Sequence, residues 1–159
     1  MVYVVMGVSG CGKTTVGSLL AGELELPFYD ADDFHPAHNV RKMTAGKPLT
    51  DADRKPWLNR LSKEIRLWNM EGGAVLACSA LKEAYREVLT GNEPDNLCFI
   101  YLKGTDIEIL DRLQSRRNHY MPTSLLDSQF DALEEPANAL EVSISGTPDE
   151  IVSEILMKL

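Results

Sequence analysis

Residues 1–17 read MVYVVMGVSGCGKTTVG, an apolar run that gives way to glycines, a lysine and two threonines. The run from Val2 to Met6 is rich in β-branched residues and does not alternate with polar ones, which predicts a strand covered on both faces in a parallel sheet. Apolar residues then recur at helical spacing from residue 13 to about residue 25. The stretch therefore predicts a strand, a glycine-rich turn and a helix, the first unit of an α/β fold.

The turn in this unit matches the phosphate-loop (P-loop) pattern G-x-x-x-x-G-K-[ST] over its full length. Glycines let the backbone wrap closely round a phosphate with its N–H groups pointing inward, and the helix that follows adds its positive end. Lys13 would reach the β- and γ-phosphates, and the Thr14 hydroxyl would hold Mg²⁺. A merely structural glycine-rich turn is the alternative. The predicted nucleotide-binding residues are Gly7, Val8, Ser9, Gly10, Cys11, Gly12, Lys13, Thr14 and Thr15.

The rest of the chain alternates strand and helix patterns. Four further apolar runs predict strands, at residues 26–29, 74–78, 97–102 and 140–144. Their alternation with helices predicts right-handed βαβ units and a five-stranded parallel sheet with helices on both faces. In such sheets ligands collect outside the carboxyl ends of the strands, so we expect the functional residues directly after the strands.

Proline marks two predicted helix starts. Pro56 precedes Trp57 and a series of apolar residues on one helical face, which predicts that Pro56 sits in the first turn of a helix. Thr147, Pro148 and Glu150 form a capping-box pattern, which predicts a last helix with Thr147 as its N-cap.

Length and charge limit the possible classes of protein. With 159 residues, the chain 1–159 has the size of a single domain. The formal net charge of -8 argues against a nucleic-acid partner, since affinity for a phosphate backbone comes mainly from clustered lysine and arginine. The N-terminal apolar stretch at residues 2–8 is too short for a membrane span and lacks the basic flank of a secretory signal. We therefore expect a cytoplasmic protein with no membrane partner.

Three carboxylates follow the second predicted strand, at Asp30, Asp32 and Asp33. Carboxylates beside a P-loop can serve the water shell of a metal or accept a proton from a substrate hydroxyl, although helix capping and solvation are alternatives for each. The third predicted strand ends in Cys78-Ser79, without the acidic residue that a motor or transporter ATPase carries there. The carboxylate on the metal side must then come from Asp30 or its neighbours.

Two basic clusters have the side chains needed for substrate and transition-state binding. Arg54 lies at a helix entry and could clamp a carboxylate or phosphate, with an ion pair to Asp51 or Asp53 as the alternative. Arg116 and Arg117 end a helix before a polar loop closed by proline. A loop that closes over the site would bring them to the transferring phosphoryl group and exclude water, whereas their alternative role is to favour the helix dipole.

His35 and His38 have an H-x-x-H spacing that could indicate zinc. With no cysteine nearby, the spacing favours a helix turn that carries two polar histidines.

Four segments beyond the P-loop form a further pattern: DADDFHP at 30–36, DADRKPWL at 51–58, CSALK at 78–82 and HYMP at 119–122. In these segments the chain resembles the gluconokinase family of shikimate kinase-like P-loop kinases. These segments are much more specific than the P-loop, and the resemblance extends over about the first 136 residues. The family often has serine where this chain has Cys11 and Thr14, and phenylalanine where it has Tyr120, but none of these changes removes a group that the chemistry needs.

The resemblance implies transfer of the γ-phosphate of ATP, with Mg²⁺, to the 6-hydroxyl of D-gluconate. It implies the three-layer fold of the nucleoside monophosphate kinases, with strand order 2-3-1-4-5, a substrate-binding region at about 31–70 and a lid at about 115–135. It also implies a homodimer. Gluconate needs hydroxyl acceptors and a cation for its carboxylate, so the expected substrate-binding residues are Asp32, Asp33, Arg54, Ser79, Lys82 and His119.

In the implied reaction, Asp30 or Asp32 orients or deprotonates the attacking hydroxyl, and the spacing leaves both open. Two alternatives to a gluconokinase also stay open: a kinase of the same fold that acts on shikimate or a nucleoside monophosphate, and a non-catalytic ATP-binding regulator. The predicted catalytic residues are Lys13, Asp30, Asp32, Arg116 and Arg117, and the predicted metal ligands are Thr14 and Asp30.

Overall fold

The computed structural model describes residues 1–115 and 123–159. Within these residues, five strands form one sheet in which every neighbouring pair is parallel. Their order, 2-3-1-4-5, confirms the prediction. The strands are β1 (Val2–Met6), β2 (Phe28–Asp30), β3 (Ala74–Ala77), β4 (Leu97–Lys103) and β5 (Leu140–Ser143).

Helices cover both faces of this sheet. In the described part of the chain, none of them combines the length and the apolar character needed to cross a bilayer. Two short 3₁₀ turns lie at Ala31–Phe34 and Pro94–Asn96. The helices are α1 (Lys13–Leu24), α2 (Ala37–Thr44), α3 (Asp51–Met70), α4 (Glu83–Thr90), α5 (Asp106–Ser115), α6 (Thr123–Ala132) and α7 (Pro148–Lys158).

The hydrophobic core is divided in two by the sheet, and the central strand β1 contributes to both halves. Val2, Val4 and Met6 pack against residues of α3 and α4, whereas Tyr3 and Val5 pack against α1, α5, α6 and α7. Successive side chains of a strand point to opposite faces, so a strand covered on both faces must be apolar throughout. This explains the continuous apolar run at the start of the sequence.

The start of α3 differs from the prediction. The helix begins at Asp51, because Thr50 and Asp53 form a reciprocal capping box in which each side chain accepts the backbone N–H of the other residue. Pro56 therefore lies in the second turn, and its predicted place in the first turn is wrong. Its missing N–H leaves the carbonyl of Ala52 without a helical partner, but Ala52 is exposed to water. The capping box predicted at Thr147 is confirmed.

The carboxyl ends of β1, β2 and β3 lie side by side. Val5 and Asp30, near the ends of β1 and β2, both pair with Ala77 at the end of β3. The Gly7 N–H, just after β1, donates to the carbonyl oxygen of Ser79, just after β3, over 3.3 Å. The segments that follow these three strands therefore meet at one edge of the sheet, where an α/β fold places its ligands.

Candidate active site

The P-loop joins β1 to α1 and folds back on its own lysine. Lys13 Nζ donates to the carbonyl oxygens of Gly7 over 3.0 Å and Val8 over 3.1 Å. Gly12 is the N-cap of α1, with a φ of 95° in the left-handed region that favours glycine. At Gly7, a Cβ atom would come within 2.7 Å of the Cys11 sulfur, so a side chain there would obstruct the turn. The loop thus has the shape of a phosphate cradle, with an ammonium group lying along it.

The metal side of the site is formed by Thr14 and Asp30. The Thr14 hydroxyl donates to Asp30 Oδ2 over 3.3 Å, and Asp30 Oδ1 accepts the N–H of Asp32 over 3.0 Å. Asp30 therefore caps the 3₁₀ turn and also faces the P-loop. Mg²⁺ binds oxygen ligands and keeps part of its water shell, so a hydroxyl and a carboxylate that meet beside a phosphate cradle fit it. Thr15 occupies an exposed position in the same turn of α1.

Asp32 and Asp33 lie in the 3₁₀ turn after β2, and both are exposed. The surrounding protein raises the pKa of Asp32 by displacing water from its carboxyl group; Asp30 and Asp33 raise this pKa too, while Lys13 lowers it. The Asp32 side chain nevertheless remains 80% exposed, so a substrate can reach it. Asp32 thus combines access with a raised proton affinity, as a general base requires.

Arg54 and Lys82 meet around one carboxylate. Asp51 Oδ1 lies 3.3 Å from Lys82 Nζ and 3.9 Å from Arg54 Nη1, and it also accepts a hydrogen bond from the Tyr85 hydroxyl. Both cations lie 5.6 Å from the centre of the Tyr85 ring. Arg54 Nη1 further donates to the carbonyl oxygen of Leu49 over 2.9 Å. Two cations from distant segments, partnered mainly by one exposed aspartate, form an anion site that a carboxylate ligand fits.

Asp53, the other ion-pair partner considered for Arg54, instead joins α2 to α3. Its carboxylate lies 2.6 Å from Lys42 Nζ and 3.1 Å from His38 Nε2, and it accepts the Thr50 N–H. The hydrogen bond from Lys42, followed by those from Thr50, lowers the pKa of Asp53 well below its usual range. The contact that Arg54 makes is with Asp51, so the sequence alternative is correct for Asp51 alone.

His35 lies beside Asp32, where the sequence prediction had expected a helix turn that carries polar histidines; it is the C-cap of the 3₁₀ turn. Its side chain is only 3% exposed and stacks on Trp57, with ring centres 4.1 Å apart and planes 15° from parallel. Burial, followed by the positive charge of Arg54, lowers the pKa of His35 to about 4. Its Nε2 lies 3.8 Å from Asp32 Oδ1. His38, by contrast, lies in α2 with its side chain 61% exposed.

A buried arginine holds the segment that carries Ser79 and Lys82. Arg86 donates to the carbonyl oxygen of Ala80 over 2.7 Å and to that of Glu134, after α6, over 2.7 Å. Ala80 has a φ of 44°, in the left-handed region that non-glycine residues seldom adopt. Arg86 therefore fixes an unfavourable turn that places Ser79 next to the P-loop and Lys82 next to Asp51.

The contact between Gln129 of α6 and Ser9 of the P-loop is a second feature that the sequence prediction missed. Its Oε1 accepts the Ser9 N–H over 2.6 Å, and its Nε2 donates to the Ser9 hydroxyl over 2.9 Å. A backbone N–H can only donate, so these two bonds fix the orientation of the amide. Because the two residues are 120 positions apart, no local pattern reveals this contact.

Three predicted site residues, Arg116, Arg117 and His119, lie outside the described residues 1–115 and 123–159. The predicted lid at about 115–135 includes them and continues into α6.

Comparison with known proteins agrees with this architecture. The shikimate kinase family model matches residues 9–159. A probable gluconokinase of Xenopus tropicalis is 48% identical over 176 residues, with 100% of this chain and 91% of that protein covered. A gluconokinase of Gluconobacter oxydans (strain 621H) is 46% identical over 157 residues, with 96% and 88% covered. The crystal structure of a gluconokinase from Sinorhizobium meliloti 1021 superposes with a TM-score of 0.90 at 40% identity, with 98% of this chain and 89% of that one covered.

These similarities extend far beyond the P-loop, which unrelated nucleotide-binding proteins share. They cover the segments after β2 and β3, where the carboxylates and the cation pair lie. The resemblance seen in the sequence is thereby confirmed, and so is the class of enzyme, an ATP-dependent kinase. The chain belongs to the gluconokinase family, within the shikimate kinase-like P-loop kinases.

Proposed function

We propose that the protein transfers the γ-phosphate of ATP to the 6-hydroxyl of D-gluconate, giving 6-phospho-D-gluconate and ADP. The proposal is supported above all by Arg54 and Lys82, which form an anion site around Asp51. Interactions between neighbouring residues connect this site to the P-loop. The charge of Lys13 lowers the pKa of Asp32, and the charge of Arg54 lowers the pKa of His35. Asp32 and His35 themselves lie 3.8 Å apart, between Asp32 Oδ1 and His35 Nε2. A polyol with a carboxylate at the far end from its reacting hydroxyl fits this arrangement.

The phosphate donor binds on the P-loop. The N–H groups of residues 7–14 and the ammonium of Lys13 hold the β- and γ-phosphates, and the amino end of α1 adds its positive dipole. Thr14 and Asp30 would hold Mg²⁺, which when bound neutralises phosphate charge. Lys13 then releases the Gly7 and Val8 carbonyl oxygens and turns to the phosphate oxygens.

Asp32 is the proposed base. Both oxygens of Asp30 already have partners, Thr14 and the Asp32 N–H, whereas the Asp32 carboxylate is open to the cleft. The 6-hydroxyl oxygen forms a bond to the γ-phosphorus, the bond from that phosphorus to ADP breaks, and the hydroxyl proton passes to Asp32. Most of the rate enhancement of such a transfer comes from positioning and charge stabilisation, which the surrounding side chains supply.

The remaining predicted residues have roles at the two ends of the substrate. Arg54 and Lys82 bind the carboxylate, displacing or sharing Asp51, and Ser79 and Asp33 bind hydroxyl groups. Arg116 and Arg117 are proposed to reach the transferring phosphoryl group from the lid, with His119 contacting substrate. These three roles rest on the family resemblance and on the position of the residues in the sequence.

A substrate panel tests the function. ADP release is measured with gluconate, shikimate and nucleoside monophosphates, and the product is identified by mass spectrometry and ³¹P NMR. We expect gluconate to give turnover far above the rate without an acceptor. Turnover with shikimate or a nucleoside monophosphate instead would indicate a different kinase, and ATP binding with no turnover on any acceptor would indicate a regulator.

We also propose that the protein is a homodimer, as the family resemblance implies, and that it acts in the cytoplasm. Analytical ultracentrifugation at micromolar concentration should give twice the mass of one 17.7 kDa chain, and a single-chain mass would contradict the dimer.

A further inference from the structure

The two ring nitrogens of His35 have different surroundings. Nδ1 lies 3.1 Å from Asn39 Nδ2, and the same Asn39 nitrogen lies 2.9 Å from the carbonyl oxygen of Asp53. A carbonyl oxygen only accepts hydrogen bonds, so the Asn39 atom that faces it is the NH₂ group. Its second hydrogen then points to His35 Nδ1, which accepts it. The proton of the neutral ring is therefore on Nε2.

This proton donor is held rigidly at the edge of the substrate site. The ring stacks on Trp57, and its side chain is 3% exposed. Burial and the charge of Arg54 lower its pKa to about 4, so the ring is neutral at physiological pH. The hydrogen bond from Asn39, which is itself 1% exposed, to Nδ1 keeps the ring proton on Nε2. The Nε2–H group can therefore only donate, and it does so in a fixed direction.

Asp32 Oδ1 can accept a hydrogen bond but lies too far from Nε2 for a direct one. Asp32 Oδ1 lies 3.8 Å from it, whereas an N–H···O bond spans roughly 2.7–3.2 Å. A single oxygen atom about 2.8 Å from both would accept from His35 and donate to Asp32. A hydroxyl group has both capacities, whereas an ether or carboxylate oxygen lacks the proton that Asp32 requires.

We propose that His35 is a specificity-determining residue that donates from Nε2 to the substrate hydroxyl next to the reacting one, whose proton Asp32 Oδ1 accepts. The inference rests on the proposed function, in which the other oxygen of Asp32 faces the 6-hydroxyl. Adjacent hydroxyls of a polyol chain can reach both oxygens of one carboxylate, so the group that His35 reads is the 5-hydroxyl of gluconate. Asn39 is a positioning residue that keeps the proton on Nε2.

The test combines a change in the enzyme with a change in the substrate. His35→Phe keeps a ring against Trp57 but removes the donor. We expect kcat/KM for gluconate to fall about tenfold, mainly through KM, with KM for ATP unchanged. Removing the 5-hydroxyl, as in 5-deoxygluconate, should cost the wild type about tenfold more than it costs His35→Phe, because the partner is already missing. His35→Gln, which has an amide N–H to donate, should restore most of the loss.

Matched controls separate this role from a general effect on the fold. His38→Phe in α2 should change kcat/KM less than twofold, and 2-deoxygluconate should be penalised equally in wild type and His35→Phe. Equal penalties for 5-deoxygluconate in both enzymes would overturn the proposal. If the wild type does not phosphorylate gluconate at all, the proposed function itself has failed, which is a different outcome.

A measurement on the unmutated protein keeps the proposal testable if His35→Phe does not fold. Two-bond ¹H–¹⁵N NMR spectra at neutral pH should show His35 as the neutral tautomer with its proton on Nε2. A proton on Nδ1, or a charged ring, would overturn the proposal whether or not gluconate is a substrate.

Discussion

In the proposed site, the P-loop at residues 7–14 contributes mainly backbone atoms of one continuous segment, whereas the acceptor side contributes side chains from three separate segments, at 30–35, 51–57 and 79–85. On the nucleotide side, most of the proposed contacts come from N–H groups that any side chain leaves in place, and the Lys13 ammonium and the Thr14 hydroxyl add to them. On the acceptor side each contact belongs to one side chain. The two sides should therefore respond differently to substitution.

The largest loss is expected at Lys13, the main side-chain charge on the nucleotide side. Lys13→Met removes the ammonium group from the transferring phosphoryl group, and kcat should fall on the order of a thousandfold. The measurement is ADP release at saturating ATP and gluconate. Lys63→Met, on the exposed surface of α3, is the matched control and should keep wild-type activity.

Asp32→Asn comes next and tests the chemistry of the acceptor side. The amide cannot take the hydroxyl proton, so we expect kcat to fall about a hundredfold with little change in KM for ATP. Asp33→Asn, in the same turn, should cost less than fivefold. If Asp32→Asn and Asp30→Asn both retained near-native rate constants for phosphoryl transfer in single-turnover experiments, neither aspartate would be the base.

Arg54→Met should change substrate binding more than chemistry. Losing a charge-assisted contact to the carboxylate should raise KM for gluconate roughly tenfold or more, with kcat reduced less. Arg66→Met on α3 serves as the control, since Arg66 is exposed. If the ratio of KM in Arg54→Met to KM in the wild type were the same for glucitol, which lacks the carboxylate, Arg54 would not bind that group.

The buried histidine of the acceptor side should also weaken the fold in acid. The pKa of His35 is lowered from 6.5 to about 4, so the unfolded chain takes up the proton first as the pH falls. The stability that this neutral ring contributes is fully present above about pH 6.5 and is lost progressively towards pH 4. The thermal midpoint of the wild type should fall more steeply across this window than that of His35→Phe, and parallel curves would contradict the account.

The smallest effect is expected from the contact between Gln129 of α6 and Ser9 of the P-loop. Gln129→Leu removes both hydrogen bonds to Ser9. Each is worth about 1 kcal/mol at most, so KM for ATP should change only a few-fold, in either direction according to whether the bonds persist with nucleotide bound. Ser128→Ala, on the exposed side of α6, should leave KM unchanged. No effect at all would indicate that the contact to Ser9 has no part in nucleotide binding.

The nucleotide side could be predicted from the sequence because its signals are local. The apolar run of β1, the glycine pattern and the helix after it lie within 24 residues, and the alternation of elements specifies a parallel sheet. The acceptor side could be predicted only in part. Asp32 and Arg54 were singled out because they are charged and follow a strand or begin a helix, and Lys82 was singled out through the family resemblance. Asp51 as the shared partner of Arg54 and Lys82 was not predicted, because Lys82 lies 31 positions from it in the sequence.

The features that were missed depend on contacts between distant residues. His35 is buried because Trp57 and Asn39 enclose it, and a short H-x-x-H spacing does not distinguish a buried ring from an exposed one. The contact between Gln129 and Ser9 spans 120 positions. Both are side-chain contacts made only after the sheet has brought the segments together, which periodicity cannot reveal.

The most direct test of the account is a crystal structure with gluconate and a non-hydrolysable ATP analogue. The account predicts the 6-hydroxyl oxygen within about 3 Å of an Asp32 carboxylate oxygen and the γ-phosphorus in line with it. The substrate carboxylate should lie on Arg54 and Lys82. A gluconate bound in the reverse direction, or a 6-hydroxyl held by Asp30 with Asp32 turned to solvent, would contradict it.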